Sequence, residues 1–262
     1  MYVGLIFGSL FFGSASFGLL CLLFLVLSFD EYFRLINRMK IRAYDPIVLI
    51  LSGLAFLLVF LYKEFDLSPK YLSLIPLCLI YIMIKELFGK IKSPFINIGF
   101  TILGFVYTFI PMVSLYLIGF YNKYSLTNDF SPKILVAFFL LVWANDTGAY
   151  AVGTAMGKHK LIERISPKKT IEGSLGGLSL TLVGAYVVSL FATQITLLDW
   201  FVIAVIIVIF GSLGDLFESL LKRKAEVKDS GRIVPGHGGM LDRLDSTLFA
   251  APVVLIYLMT IG

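Results

Sequence analysis

The chain has 262 residues, of which 58% are hydrophobic and 15% are charged, and its mean hydropathy is +0.92. A soluble domain has about 45–50% apolar and about 25% charged residues, so this composition excludes a soluble globular protein and indicates an all-α, polytopic membrane protein. The net charge of +5 would suit a nucleic-acid partner in a soluble protein. Here the basic residues concentrate in particular loops, so topology explains them and no nucleic-acid partner is expected.

Apolar runs separated by polar loops predict eight membrane helices, or nine if the first run is divided near Ser16. No Lys or Arg precedes Arg34, so a cleaved signal peptide is not expected. We expect a single membrane domain over 1–262, with N-terminal helices in 1–130 and catalytic helices and cytoplasmic loops in 131–262. The predicted spans are 1–29, 46–62, 71–84, 95–120, 134–156, 172–191, 198–221 and 247–261.

The basic residues alternate between the two sides of the predicted membrane. Loops 30–44, 85–93, 157–172 and 222–246 carry 4, 3, 5 and 6 of the 22 lysines and arginines, while the opposite loops carry the remainder. Positively charged loops face the cytoplasm, so we expect a multi-pass protein of the cell (inner) membrane with segment 222–246 on the cytoplasmic side.

Small and isolated polar residues within the spans have mostly structural interpretations. We expect the span glycines to permit close helix packing, and Cys21 and Cys78 to be apolar core or lipid-facing residues without a disulfide. Glu31, Glu86 and His159 lie at span ends, where solvated or interfacial positions are expected.

The first group of residues with chemical potential lies in 143–173. Asp146 is an acid inside an apolar run, and Lys168 and Lys169 precede the next predicted helix in the segment Ser-Pro-Lys-Lys-Thr. Hydroxyl, ammonium and backbone N–H groups before a helix suit a phosphate. The alternative for both lysines is membrane topology alone.

Asp215 stands about two turns inside the predicted helix that ends near Lys222, roughly 10 Å by helical rise. Helical spacing puts Glu218, Ser219 and Lys222 on the same stripe. An acid at membrane depth is costly and usually functional, although a structural ion pair with Lys222 or Arg223 is the alternative.

The most polar stretch of the chain is 219–245. Basic side chains and a glycine-rich turn there suit the phosphates of a nucleotide, because arginine binds phosphate with two hydrogen bonds and glycine exposes backbone N–H groups. Topology and anionic-lipid attraction are the alternative for the basic residues. The predicted phosphate-binding residues are Lys222, Arg223, Lys228, His237, Gly238, Gly239 and Arg243, and Asp229 is a further predicted substrate-binding residue.

Asp242 and Asp245 are three residues apart at the predicted start of the last helix, so both project from one face of its first turn. Together with Asp215 they predict a Mg²⁺ site, since Mg²⁺ is usually held by one or two carboxylates and substrate phosphates. Helix capping explains one of the two aspartates but not Asp215 as well.

Residues 219–245 resemble the signature of the phosphatidate cytidylyltransferases, also called CDP-diacylglycerol synthases. The pattern reads Ser-x-x-Lys-Arg, Lys-Asp, His-Gly-Gly and Asp-Arg-x-Asp, with Val234 where that family more often has Leu, Ile or Phe. The segments WANDTGAY, GKHKL and RISPKKTIEG are also similar to this family. Specific motifs cover about 130–262, and the N-terminal half is similar only in hydropathy.

The resemblance implies that CTP and phosphatidate give CDP-diacylglycerol and pyrophosphate for phospholipid biosynthesis. It assigns the metal ions to Asp215, Asp242 and Asp245, with Mg²⁺ and a second cation such as K⁺. Lys222 and Arg243 then act in catalysis. Ser219, Asp146 and the other basic residues help to bind the substrates. It also implies a homodimer among membrane lipids.

Two other functions are compatible with parts of the pattern, and the spacing of the aspartates argues against a third. A CTP-dependent lipid kinase would use similar chemistry and release CDP instead of pyrophosphate. An ion-coupled transporter would also carry intramembrane acids, but it predicts repeat symmetry that the sequence does not display. A CDP-alcohol phosphotransferase has differently spaced aspartates.

Overall fold

A computed structural model describes residues 2–41, 43, 45–89, 93–122, 125–126, 129–231 and 238–261. The described residues form nine α-helices and two antiparallel hairpins, and a 3₁₀ helix over Pro69–Leu74 precedes α4. The elements are α1 (Tyr2–Phe11), α2 (Ser14–Arg38), α3 (Pro46–Glu64), α4 (Leu77–Phe88), α5 (Pro94–Ile118), β1 (Tyr121–Asn122), β2 (Ser125–Leu126), α6 (Pro132–Met156), β3 (Lys160–Ile162), β4 (Ser166–Thr170), α7 (Ile171–Ser189), α8 (Leu197–Lys224) and α9 (Leu241–Thr260).

Seven helical segments in the described part of the chain are long and apolar enough to cross a membrane. The prediction of an all-α polytopic membrane protein is therefore confirmed, while the count of eight or nine spans is not. The two spans predicted to be short extend into the neighbouring loops. The seven segments are Pro46–Glu64, Pro69–Phe88, Pro94–Ile118, Pro132–Met156, Ile171–Ser189, Leu197–Lys224 and Leu241–Thr260.

The N-terminal apolar run consists of two helices, as the divided alternative predicts. Helix α1 ends at Phe11 and α2 begins at Ser14, two residues before the predicted division. Gly13 between them has a φ of 101°, a conformation that glycine adopts at little cost. Helix α2 then continues to Arg38, beyond the predicted end of the span, and buries Tyr32, Phe33 and Ile36.

Local sequence signals fix several helix starts. The Asp45 side chain accepts a hydrogen bond of 2.9 Å from the backbone N–H of Ile47, and Pro46 occupies the first turn of α3. At the start of α8, Thr196 and Asp199 accept hydrogen bonds from each other's backbone N–H groups. This reciprocal capping satisfies donors that the first helical turn leaves unpaired.

The chain divides into two compact units, and the boundaries fall within α5, α8 and α9. Unit 1 comprises Met1–Tyr116 and Leu221–Arg243. The Tyr32 hydroxyl donates to the carbonyl oxygen of Phe100 at 3.0 Å, and a Cβ atom at Gly104 would lie 2.5 Å from the Tyr32 ring. The missing side chain at Gly104 therefore lets α5 approach α2, which confirms the packing role predicted for this glycine.

A second cluster in unit 1 is ionic and joins α3, α4 and α5. The Lys85 ammonium lies 2.9 Å from the Asp45 carboxylate, and the Asn97 amide donates to Glu86 at 3.5 Å. Glu86 is only 4% exposed, so the expectation of a solvated position is wrong for this residue. The cluster supplies Glu86 with polar partners that the sequence spacing does not reveal.

Unit 2 comprises Leu117–Leu220 and Leu244–Gly262. Helices α6 and α7 pack closely because glycines at their contact have no side chains. A Cβ atom at Gly148 would lie 2.6 Å from the Gly176 carbonyl oxygen, and one at Gly177 would lie 2.6 Å from the Asn145 side chain. Glycine packing is therefore confirmed at Gly176 and Gly177. At Gly99, in unit 1, an added Cβ would meet no atom within 4 Å, so the packing prediction is wrong there.

The Lys-rich loop between α6 and α7 contains a hairpin that the sequence pattern does not predict. Strands β3 and β4 pair antiparallel, with Lys160 opposite Thr170 and Ile162 opposite Ser166. The Glu172 carboxylate accepts hydrogen bonds from the backbone N–H groups of Lys158 and His159, at 3.1 Å each, and so ties the base of the hairpin to α7. The His159 side chain is exposed, as expected.

Candidate active site

The junction of β4 with α7 presents polar groups to a cavity in unit 2. The Thr170 hydroxyl caps α7 by accepting a hydrogen bond of 3.1 Å from the Gly173 backbone N–H. Just before it, Lys168 is exposed and Lys169 is half-buried. The Lys169 ammonium lies 2.6 Å from the Asp215 carboxylate and 3.5 Å from the Ser212 carbonyl oxygen, and thus links β4 to α8.

Three carboxylates converge between α8 and α9 in the same unit. Asp215, Glu218 and Asp245 each offer one oxygen, and these oxygens lie within 4.8 Å of one another. Glu218 is fully buried. The two helices can approach closely here because Gly214 has no side chain. A Cβ atom at this position would overlap the Asp245 carbonyl oxygen. The packing role predicted for Gly214 is thus confirmed, and it determines the spacing of the acids.

Carboxylates at this separation repel one another unless a positive charge lies among them. Oxygen donors from acidic side chains are also the ligands that Mg²⁺ and Ca²⁺ prefer. The donor set of Asp215, Glu218 and Asp245 therefore fits a hard divalent cation. The Ser219 hydroxyl donates to Asp215 at 3.2 Å and the Ser246 backbone N–H to Asp245 at 2.6 Å, so two of the carboxylates are also oriented by hydrogen bonds.

A cavity of about 270 Å³ opens beside these carboxylates. Asp146 and Tyr150 line it from α6, and both are exposed. The Asn145 amide lies 3.5 Å from the Asp146 carboxylate. The structure thus brings four predicted site residues to one cavity: Asp146, Lys168, Lys169 and Asp215.

Asp242 belongs to unit 1, where its carboxylate is surrounded by donors. One oxygen lies 2.7 Å from the Lys222 ammonium. The other accepts hydrogen bonds from the backbone N–H and hydroxyl of Ser230, at 2.9 and 3.0 Å, and from the Gly239 backbone N–H at 2.9 Å. These contacts organise the segment before α9, and the metal role of Asp242 stays a prediction.

Glu31 is completely buried in unit 1, so the expectation of a solvated position is wrong. Its carboxylate accepts hydrogen bonds from the backbone N–H groups of Met240 and Leu241, at 2.8 and 2.9 Å. A third donor is the Ser230 hydroxyl at 2.9 Å. The first N–H groups of a helix have no acceptor within the helix. At the start of α9, the Glu31 carboxylate of α2 is that acceptor.

The remaining predicted site residues lie in or beside the segment that precedes α9. Gly238 has a φ of 85° and Gly239 is buried. His237 lies outside the described residues. Four other residues are exposed, which leaves their side chains accessible to a ligand: Arg223, Lys228, Asp229 and Arg243.

Comparison with known proteins identifies the family. The sequence model described as "Cytidylyltransferase family" matches residues 1–261. The chain belongs to this family. It is 39% identical over 251 residues to a protein of Staphylococcus saprophyticus named phosphatidate cytidylyltransferase, covering 93% of this chain and 92% of that protein.

Two further relatives of this cytidylyltransferase-family chain carry the same name. The Staphylococcus epidermidis protein is 43% identical over 187 residues, which is 68% of this chain and 71% of the relative. The Staphylococcus haemolyticus protein is 52% identical over 143 residues, which is 54% of each chain. That last match spans about half the length of the relative.

Sequence reasoning missed two acids of this cytidylyltransferase-family chain. Glu218 lies one turn after Asp215, and its place on the polar stripe of α8 was a usable signal. Glu31 gave no comparable signal, because Ser230, its hydroxyl donor, lies 199 residues further along the chain.

Proposed function

We propose that this chain transfers a cytidylyl group from CTP to phosphatidate, giving CDP-diacylglycerol and pyrophosphate at a multi-pass membrane site. The observation that carries the proposal is the convergence of Asp215, Glu218 and Asp245, together with the cavity that Asp215 lines with Lys168 and Lys169. Acids that suit a metal ion, next to lysines that suit phosphate, are what a nucleotidyl transfer requires. Membership of the cytidylyltransferase family and the names of the relatives support the choice of substrates.

The reaction needs positioning and charge neutralisation more than a strong base. A phosphatidate phosphate oxygen, already ionised near neutral pH, attacks the α-phosphorus of CTP. The bond from that phosphorus to the bridging oxygen breaks, and pyrophosphate leaves with the electron pair. Both reactants are anions, so cationic groups must hold them in line.

Lys169 and the start of α7 are suited to the reacting phosphates. The ammonium of Lys169 is fixed by Asp215 at 2.6 Å, and the first turn of α7 adds Gly173 and Ser174 to the cavity wall. Backbone N–H groups at a helix start attract phosphate. A volume of about 270 Å³ is below the roughly 300–1,000 Å³ of drug-sized ligand sites, so it suits a headgroup or phosphates better than a whole nucleotide.

Mg²⁺ would be held by Asp215, Glu218 and Asp245, whose oxygens converge within 4.8 Å. When bound, a divalent ion supplies charge neutralisation for the phosphates and the leaving group. Asp242 and a second cation such as K⁺ stay predictions from the family resemblance. Phosphate binding by Lys222, Arg223, Lys228 and Arg243 likewise stays a prediction from the sequence pattern.

The site would face the cytoplasm, where CTP is available. The alternation of lysines and arginines between predicted loops supports this orientation in the cell (inner) membrane. A homodimer is implied by the family resemblance alone.

The proposal is tested by supplying purified protein in detergent with CTP, phosphatidate and Mg²⁺, with K⁺ varied. We expect pyrophosphate release that requires both substrates and appears together with CDP-diacylglycerol. Release of CDP with a phosphorylated lipid would instead assign a lipid kinase. No turnover by well-folded protein under any of these conditions would overturn both assignments.

A further inference from the structure

The Glu31 carboxylate contacts two described stretches of residues 219–245, which we call the signature segment. On one side it contacts the Ser230 hydroxyl at 2.9 Å, and on the other it accepts the N–H groups of Met240 and Leu241. The two stretches flank residues 232–237, and each is therefore anchored to the same side chain of α2.

A second carboxylate shares one of these anchors. The Ser230 hydroxyl lies 2.9 Å from Glu31 and 3.0 Å from Asp242, so one hydroxyl lies between two acids. Asp242 also accepts the backbone N–H groups of Ser230 and Gly239, at 2.9 Å each. The hydrogen bonds that Glu31 and Asp242 accept thus form one connected network around both stretches.

Two glycines of the signature segment make room for the Glu31 carboxylate. A Cβ atom at Gly231 would lie 2.8 Å from the Glu31 carboxyl carbon, and one at Gly239 would overlap both the carboxylate and the Ser230 hydroxyl. The sequence predicts Gly239 as a position where backbone approaches a ligand. The structure adds that the backbone there approaches a buried acid.

We propose that Glu31 is a positioning residue for the signature segment: its buried carboxylate in α2 fixes Ser230–Gly231 and Gly239–Leu241, and thereby the groups in and beside these two stretches that are predicted to hold phosphate. The proposal rests on the proposed function, because it gives the segment a role in turnover. Glu31 does not itself touch substrate in this scheme and acts through the backbone that it holds.

The chemistry of the contacts explains why an acid is required. Both oxygens of Glu31 serve only as acceptors, one for Met240 and the other for Leu241 and Ser230. In Glu31→Gln, either orientation of the amide places an NH₂ group against a backbone N–H. The segment must then shift, and a misplacement of about 1 Å near reacting groups costs up to about 100-fold in rate.

The test compares Glu31→Gln with Asp30→Asn in the full-length protein in detergent. Asp30 is the preceding residue of α2, is 25% exposed and forms an ion pair of 2.7 Å with the exposed Arg34, so this control makes the same chemical change at a partly exposed position. Turnover of CTP and phosphatidate is measured beside amide hydrogen exchange of peptides that cover 230–241 and of peptides from α3 and α5.

We expect Glu31→Gln to lose about tenfold to 100-fold in kcat, with faster exchange confined to 230–241. Asp30→Asn should match wild type in both measurements. Wild-type turnover in Glu31→Gln, with or without faster exchange, would overturn the positioning role. Faster exchange throughout α3 and α5 would also overturn it, because Glu31 would then support the whole of unit 1.

A double variant examines whether Glu31 and Ser230 act together. If both act on turnover through one network, Glu31→Gln combined with Ser230→Ala should lose little more activity than the more severe single variant. Multiplying losses would contradict the shared network. The exchange measurement does not depend on the reaction, so inactive wild-type protein would count against the proposed function while local exchange still tested the anchoring contacts.

Discussion

Two clusters of buried or half-buried acids in this chain differ in their surroundings, although Lys169 and Ser219 reach Asp215 and the Ser246 N–H reaches Asp245. In unit 1, Glu31 and Asp242 are encircled by backbone N–H groups, a hydroxyl and the Lys222 ammonium. In unit 2, the oxygens of Asp215, Glu218 and Asp245 approach one another within 4.8 Å. Acids that accept hydrogen bonds stabilise a backbone, whereas acids that converge on each other create a site for a cation. The donors around an acid, more than its place in a motif, therefore indicate its role.

The largest effect should follow a change in the unit 2 cluster. We expect Asp215→Asn to lower turnover at least about 100-fold. Mutating a residue that only hydrogen-bonds to a metal ligand already lowers activity by about 10- to 100-fold, and Asp215 would bind the ion directly. It should also abolish the rise in melting temperature that Mg²⁺ gives to wild type over EDTA. Pyrophosphate release and thermal unfolding measure the two effects.

Asp199→Asn is the matched control for this change. Asp199 lies in the first turn of the same helix and accepts hydrogen bonds from Thr196 and Tyr257, so the substitution alters a cap and leaves the cluster intact. Its response to Mg²⁺ should equal that of wild type. An Asp215→Asn protein that still responds to Mg²⁺ in full would remove the metal from this cluster.

The next largest effect should follow loss of the lysine at the cluster. Lys169→Met removes the 2.6 Å ion pair with Asp215 and a positive charge from the cavity, and we expect kcat/KM to fall about 10- to 100-fold. Lys168→Met changes the exposed neighbour on β4 and should cost several-fold less. Equal losses in the two variants would argue that both lysines act only through general surface charge.

The sequence was sufficient for the parts of this comparison that depend on local pattern. Seven of the predicted apolar runs coincide with membrane segments, and the helix that carries Asp215 ends at Lys224, two residues beyond the predicted end. The helix start predicted near Asp242 is also close to the observed start of α9 at Leu241, although Asp245 lies in the second turn and not in the first as predicted.

The sequence was insufficient where a partner comes from a distant part of the chain. Glu31 reads as a span-end residue, since nothing near it reveals that the α9 amides, 209 and 210 residues away, bind it. Hairpin β3–β4 was missed for a related reason: its strands are three and five residues long, and their lysines read equally well as a topological signal.

A smaller effect should follow steric change at the helix contact that sets the carboxylate spacing. Gly214→Ala places a methyl group against the Asp245 carbonyl oxygen, so α8 and α9 must separate slightly, at a cost of about 2–3 kcal/mol in unfolding free energy. Affinity for Mg²⁺ should fall with it. Gly99→Ala meets no atom within 4 Å and should leave the melting temperature unchanged or slightly raised. Equal melting temperatures for both variants would show that α8 and α9 do not need this close contact.

The smallest expected loss of stability concerns Asp242. This residue tests most directly whether an acid acts through its hydrogen bonds or as a metal ligand. In Asp242→Asn the amide oxygen still accepts backbone N–H groups, while the 2.7 Å ion pair with Lys222 is lost, so we expect a decrease of about 1–2 kcal/mol. If Asp242 acts through the network that it shares with Glu31, turnover should fall by a factor similar to that of Glu31→Gln, and the thermal shift with Mg²⁺ should persist. If Asp242 binds the metal, as the motif predicts, the shift should disappear as it does in Asp215→Asn. The same melting experiment with and without Mg²⁺ thus decides whether hydrogen-bond donors or motif position is the better guide to this carboxylate.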